Sequence, residues 1–190
     1  AGREAEGGPR APLRHLLAFL DELESDAGAR AAYLAAAAGL PDRLVLVGRL
    51  EHDELAPLLA LCEAQVVPST FPEAFGMVAA EAAACGALPV SAAHSGLAEV
   101  AAILQPAAGE VELTFPLDDG AVPALAARVV AWLQAPAPRR AAVRDALVQV
   151  AWERFSWEGV AEGVVLAAQG RLDELPGPPD PVAHPDRAGG

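Results

Sequence analysis

A doubly wound α/β domain with a parallel sheet is the fold this sequence predicts, and three observations predict it. Short apolar runs of strand length alternate with longer helical patterns, the order that pairs strands in parallel through right-handed crossovers. The hydrophobic fraction of 53% comes mostly from Ala, with aromatics at only 5%, so close-packed helices and short Val/Leu strands must supply the core. A chain of 190 residues is long enough to bury about 70% of its unfolded surface in one domain.

Leu13, Leu16, Leu17, Leu20 and Leu23 recur at helical spacing, which predicts an amphipathic helix over 12–24 with Pro12 in its first turn. A second helix is expected at 28–38, ended by Gly39. "RLVLVG" (43–48) reads as a strand stopped by Gly48, and "EHDELAPLLALC" as a helix capped near His52 or Asp53, with Pro57 close to its first turn. "AQVV" (64–67) is a short strand broken by Pro68. A helix over 75–85, a strand over 88–92, a short helix over 97–104 and a strand over 111–115 continue the alternation. Helices at 119–134, 138–154 and 157–174 close the domain, which is taken as 1–174. The Pro/Gly-rich stretch 175–190 is expected to be a disordered tail. About four strands are fewer than a full doubly wound domain holds, and the chain opens with Ala1. The expectation is a domain incomplete at its amino end.

Charge bounds the partners. A net charge of -13 argues against nucleic acid and anionic membrane surfaces, which need a basic face. The chain contains no Lys, so an anionic ligand must be held by Arg or by backbone dipoles. There is no signal segment and no apolar run of membrane-spanning length, so a cytoplasmic protein is expected. Cys62 and Cys85 lack metal or redox spacing and are read as buried reduced thiols. No metal and no cofactor are expected.

The stretch "VVPSTFPEAFGMVAAEAAACG" (66–86) runs from a buried strand through a Pro-rich loop into a helix expected to start near Ala74 or Phe75. Its first turn leaves the N–H groups of Phe75, Gly76 and Met77 without intrahelical partners, and the helix dipole adds about half a positive charge there. Such a terminus holds a phosphate or diphosphate without a cationic side chain, and Gly76 lets a ligand come close. Glu81 lies about 9 Å further along at 1.5 Å per residue, a separation suited to ribose hydroxyls beyond those phosphates. Glu73, ahead of the helix, faces whatever is attached past the phosphates, and a sugar is the obvious group. The plainer alternative makes Glu73 a helix-cap acid and Glu81 a solvated face residue.

The same residues carry a resemblance. "PSTFPEAFGMVAAEAAACGALPV" resembles the donor-binding half of retaining GT-B-fold glycosyltransferases of family 4, whose hallmark is a Glu, seven residues and a second Glu, here Glu73 and Glu81. "VLVGRLEHDELAPLLALCEAQVVPS", "SAAHSGLAEV" and "RFSWEGVA" resemble the flanking segments, so the likeness spans most of residues 40–165. It implies a partial Rossmann-like sheet, the C-terminal half of a GT-B fold. It also implies a nucleoside-diphosphate sugar, UDP- or GDP-linked, as donor, and transfer of a hexose-type sugar with retention to an unidentified acceptor.

On this reading Glu81 accepts the ribose hydroxyls and Glu73 those of the transferred sugar, where it counts as catalytic. Phe75, Gly76 and Met77 present amides to sugar and diphosphate, and the backbone around Arg49 and Leu50 edges the nucleobase. Ser69, His94 and Gly96 line the donor loops, with Ser95-Gly96 standing where the family usually has Gly-Gly. The family's Arg and Lys on the diphosphate precede the region covered here, and its amino-terminal domain binds the acceptor. The chain is therefore expected to be inactive without that domain. A non-catalytic nucleotide-sugar-binding or regulatory module is the alternative, and an interaction domain with an incidental Glu pair is a third reading. Trp152 and Trp157 are expected in core or interface packing, His52 as a helix cap, and Glu99 at the start of a helix.

Overall fold

The structure is a computed structural model that describes residues 14–177. The chain divides between Arg49 and Leu50 into two compact units. In the first, α1 (Arg14–Ser25) packs on α2 (Ala27–Ala37), and the ring of Phe19 meets that of Tyr33 edge-on at 5.5 Å. Asp26 explains the break between them, because its carboxylate accepts from the N–H groups of Gly28 and Ala29 at 2.8 and 2.9 Å and caps α2. The strand expected over 43–48 does not form. Residues 44–51 have no regular structure, and Val45 and Leu46 are 80% and 86% exposed. An apolar run becomes a strand only where a neighbour accepts its ladder, and none does so among the described residues.

The second unit is α/β. It runs α3 (His52–Leu61), β1 (Ala64–Val67), α4 (Met77–Ala84), β2 (Leu88–Ala92), α5 (Ser95–Ala108), β3 (Thr114–Phe115), α6 (Ala121–Gln134), α7 (Ala137–Phe155), α8 (Trp157–Ala168) and a 3₁₀ turn, Leu172–Glu174. The three strands form one parallel sheet in the order β1-β2-β3, with Ala64 opposite Leu88 and Ser91 opposite Thr114. Helices α4 and α5 pack on β2, α7 lies against both of them, and α6 packs on β2 and β3. β1 and β2 occupy the residues expected of them, 64–67 and 88–92. The tail expected over 175–190 lies almost wholly outside the described residues, as does Pro12.

The middle strand is buried along its whole length, which suits the run "LPVSA", apolar except for Ser91. Its proline is tolerated for a geometric reason. The N–H of Leu88 donates toward β1, to the Glu63 carbonyl at 3.2 Å, whereas Ser91 and Ala93 donate toward β3, to the Leu113 and Phe115 carbonyls. Alternation puts the missing N–H of Pro89 on the β3 side, at a level where β3 has not begun.

The shortness of β3 departs from the expected 111–115 and has a nameable cause. The Gln105 side-chain amide donates to the carbonyls of Gly109 and Val111, both at 2.9 Å, and accepts from the Leu113 N–H at 3.3 Å. Those backbone groups are thus satisfied by one side chain rather than by a strand. Helix α5 is correspondingly longer than the expected 97–104. It continues past Pro106, which lies in its last turn, and ends at Gly109 with φ 62°. In α3 the first helical residue is His52, not the cap. Glu51 is the cap, its N–H donating to the Glu54 carboxylate at 3.1 Å. Pro57, sixth in α3, lies past the first turn.

One aromatic ties the outer helices to the sheet. Trp132 of α6 is 1% exposed, and its indole N–H donates to the Glu63 carbonyl just ahead of β1 at 2.8 Å. Arg140 and Arg144 of α7 approach the Glu63 carboxylate at 3.4 and 3.8 Å, and Arg144 also donates to the Ala60 carbonyl at 3.1 Å. Replacing Trp132 with Phe removes one of the two donors to the Glu63 carbonyl, the Leu88 N–H being the other, and should lower stability by about 0.5–1.5 kcal/mol. Trp132→Ala should cost about 3–5 kcal/mol through the cavity it leaves. Urea unfolding monitored by circular dichroism checks both, and a midpoint unchanged in the Phe variant would contradict the role assigned to this bond.

Candidate functional site

The loops that follow β1 and β2 lie at the carboxyl ends of these parallel strands, the edge where open α/β sheets carry their ligands. They are locked together. The Gly96 N–H donates to the Glu73 carbonyl at 2.9 Å, and the Glu73 N–H donates to Ser95 Oγ at 3.0 Å. Ser95 Oγ is 2.9 Å from His94 Nδ1, and His94 Nε2 is 2.7 Å from the Ser69 carbonyl. A carbonyl can only accept, so Nε2 carries a proton, and in the neutral imidazole the Ser95 hydroxyl donates to Nδ1. His94 is thereby a clamp between the two loops, and Ser69 takes part through its backbone rather than its hydroxyl.

Two glycines make this interlock possible. A Cβ on Gly96 would stand 2.6 Å from the Phe75 backbone, and one on Gly76 would stand 3.0 Å from the Gly96 carbonyl oxygen and the Leu97 nitrogen. Gly76 also holds φ 81°, the left-handed region that suits glycine. The space beside Gly76, expected to admit a ligand, is occupied by the start of α5.

The helix itself begins later than expected. Gly76 is the cap and Met77 the first helical residue, so Phe75 lies outside the first turn. Ala79 donates to the Gly76 carbonyl at 3.0 Å, which leaves Met77 and Val78 as the N–H groups with no acceptor in the helix. Glu81 is then the fifth residue of α4, about 6 Å along the axis from its start rather than 9 Å.

Met77, Ala80, Glu81 and Ala84 share one face of α4, at helical spacing, and form one wall of an open groove of about 290 Å³. Phe75 joins that wall, and the other comes from the end of α7 and the start of α8: Ala151, Trp152, Phe155, Ser156, Trp157 and Glu158. The rings of Phe75 and Phe155 meet edge-on at 5.9 Å across it. Trp152 and Trp157 are 60% and 84% exposed, which corrects the expectation of core packing. They are groove walls, and the buried Trp is Trp132.

The structure gathers Ser69, Glu73, Gly76, His94 and Gly96 at the loop junction, and Phe75, Met77 and Glu81 at the groove. Glu73 is half-buried and is not among the groove residues. Arg49 closes the first unit, and Leu50, half-buried, opens the second. Glu99 is an exposed residue in the second turn of α5, not at its start. Both cysteines are free thiols, partly exposed rather than buried. Burial, and after it the nearby Glu81 carboxylate, pushes the Cys85 thiol above its ordinary value. Among the described residues no group of His, Cys, Asp or Glu is placed to hold a metal ion, and no helix is long and apolar enough to cross a membrane.

These features define a parallel α/β domain with a two-loop site at the carboxyl edge of its sheet. The family of glycosyl transferases group 1 matches residues 24–144, and the chain belongs to that family. The glycogen synthase of Mycobacterium tuberculosis is 38% identical over 147 residues, covering 74% of this chain and 33% of that protein. The D-inositol 3-phosphate glycosyltransferase of Acidothermus cellulolyticus is 33% identical over 141 residues, covering 74% and 29%. That of Salinispora tropica is 36% identical over 125 residues, covering 66% and 24%. The chain thus spans a third or less of the length of these curated relatives. No solved structure matches it.

The glycine contacts give the site a test of its own. Gly96→Ala places a methyl group against the backbone of Phe75 and should lower stability by about 1–3 kcal/mol. Chemical denaturation measures it, and a variant as stable as the parent would show that the two loops are not packed as described.

Proposed function

We propose that this chain is the donor-binding part of a GT-B-type, family 4 glycosyltransferase, one that transfers a sugar from a UDP- or GDP-sugar to an acceptor with retention of configuration. The observation that supports this most is the pairing of a carboxylate with a free helix start: Glu81 stands about 6 Å along α4 from the unpaired amides of Met77 and Val78. Glu81 accepts the two ribose hydroxyls, which donate naturally to one carboxylate. The diphosphate lies against the first turn of α4, with the backbone from Phe75 to Met77 reaching toward it, and the helix dipole favours its charge.

Glu73 holds hydroxyls of the transferred sugar. Both of its backbone groups are fixed by Ser95 and Gly96, so its side chain projects from a rigid position. Ser69, His94 and Gly96 set the shape of the loops, and the backbone at Arg49 and Leu50 meets the edge of the base. Rate enhancement comes from stabilising charge as it builds on the departing phosphate, which in turn helps to deprotonate the acceptor on the same face of the sugar. An acceptor-binding partner domain supplies the facing wall, and the reaction belongs to the cytoplasm.

Titration calorimetry with UDP, GDP and ADP on the parent chain and on Glu81→Ala tests this. Charged hydrogen bonds of this kind contribute about 1.5–3 kcal/mol, so the variant should bind at least about tenfold more weakly. A 2′-deoxynucleotide should bind the parent weakly and the variant no worse. Equal heats in both proteins with the ribonucleotides would reject the assignment.

A further inference from the structure

We infer that anion binding at the start of α4 is coupled to uptake of a proton by His94, which releases the Ser95 hydroxyl to donate to the anion; the inference rests on the reading that places a diphosphate there. The first observation is strain. Among the described residues Ser95 is the non-glycine residue with a positive φ, 48°, at a position that glycine would hold without cost. Strain of this kind gathers at functional sites, and here it points to the hydroxyl.

The second observation is where that hydroxyl is held. Ser95 Oγ accepts from the Glu73 N–H at 3.0 Å and lies 2.9 Å from His94 Nδ1, while the next residue, Gly96, packs on the backbone of Phe75. Gly76, the cap of α4, packs in turn on Gly96 and Leu97. The pair thus sits against the residues that lead into the unpaired amides of Met77 and Val78.

The third observation is the set of bonds itself. With a neutral imidazole the Ser95 proton is committed to Nδ1, and the hydroxyl has none to offer a ligand. A proton taken from solvent by Nδ1 reverses that bond. Ser95 Oγ has two lone pairs, so it accepts from Nδ1 and from Glu73 together, and its own hydrogen is free to turn toward an anion. Nε2 keeps its proton and its bond to the Ser69 carbonyl at 2.7 Å, so the loops stay clamped in either state. One proton adds a donor and a positive charge at once.

Neighbouring charge gives the coupling its direction. The charged groups on the segments that meet at the junction are acids, Glu73 on the loop, Glu81 on α4 and Glu99 on α5, with Asp118 and Asp119 following β3. The cations of α6 and α7 are engaged elsewhere: Arg128 with Glu112, Arg139 with Glu110, Arg140 and Arg144 with Glu63, and Arg154 with the Gly177 carbonyl. That leaves His94 as the group on these segments able to add positive charge beside an anion. Linkage makes the effect reciprocal, so the anion favours the proton as much as the proton favours the anion.

Calorimetric titration of the full chain with UDP-glucose and with inorganic sulfate, neither of which changes charge between about pH 6 and pH 8, tests this in two buffers of different ionisation enthalpy. Affinity for both should rise about tenfold as pH falls across that range, and the difference in heats between buffers should show net proton uptake. His94→Asn keeps an acceptor beside Ser95 but cannot titrate, and it should give a flat profile with no uptake. Ser95→Gly suits the positive φ; it should bind sulfate about threefold more weakly than the parent at the acid end and equally at the alkaline end. A pH profile that His94→Asn leaves intact, or one already flat in the parent, overturns the coupling and leaves the anion site standing. A Ser95→Gly variant that matches the parent at the acid end overturns the role of the hydroxyl. Failure of the parent to bind either ligand at any pH removes the anion site itself, and the coupling with it.

Discussion

The contact on which the site depends is the approach of one backbone to another, where the loop ahead of α4 meets the start of α5. Phe75 and Gly96 leave no room for a side chain between them, and Gly76 turns through a left-handed conformation against Leu97. Ser95 also takes a positive φ of 48°, a conformation that costs a residue with a side chain of order 1 kcal/mol. Four hydrogen bonds offset that strain, running from Gly96 and Glu73 through Ser95 and His94 to Ser69. The consequence is directional. The start of α4 cannot tilt without breaking this set, so its unpaired amides and the Glu81 face keep a fixed relation.

A small, stiff sheet supports that junction. β2 is buried throughout and has α4 and α5 packed on it, so both helix starts emerge from the ends of adjacent parallel strands. Trp132, Arg140 and Arg144 hold the residues before β1, which sets the position of that strand from the opposite end. The groove residues come from α4 and from the α7–α8 corner, and α7 packs directly on α4. Core packing and groove shape are therefore one problem: Ala151 is buried against the core, and its neighbour Trp152 faces out.

Where an element's cause lies within its own residues, the sequence reveals it. β1 and β2 are largely apolar runs, interrupted only by Gln65 and Ser91 and bounded by Pro68 and Gly86, and both are legible to the residue. The shared face of Met77, Ala80, Glu81 and Ala84 follows from their helical spacing alone. Causes that act at a distance are not. The run 43–48 has strand composition but no ladder, and the Gln105 amide takes the groups that would have extended β3. The late start of α4 follows from Gly76 packing on Leu97, a contact between segments about 20 residues apart. Trp152 and Trp157 read as packing residues because nothing in the local pattern says which way they face, and Trp132 gave no sign of its bond to Glu63.

In a chain with no Lys and a net charge of -13, Arg side chains and backbone dipoles are the groups that can hold a diphosphate, and the proposed site uses the dipoles. Amide resonances of an isotope-labelled sample, followed while inorganic diphosphate and then UDP are added, report on this most directly. Met77 and Val78 should shift first and furthest with either ligand, joined by Glu81 only with UDP. Shifts that spare the start of α4 and gather on the Arg side chains of α6 and α7 would contradict the placement of the anion.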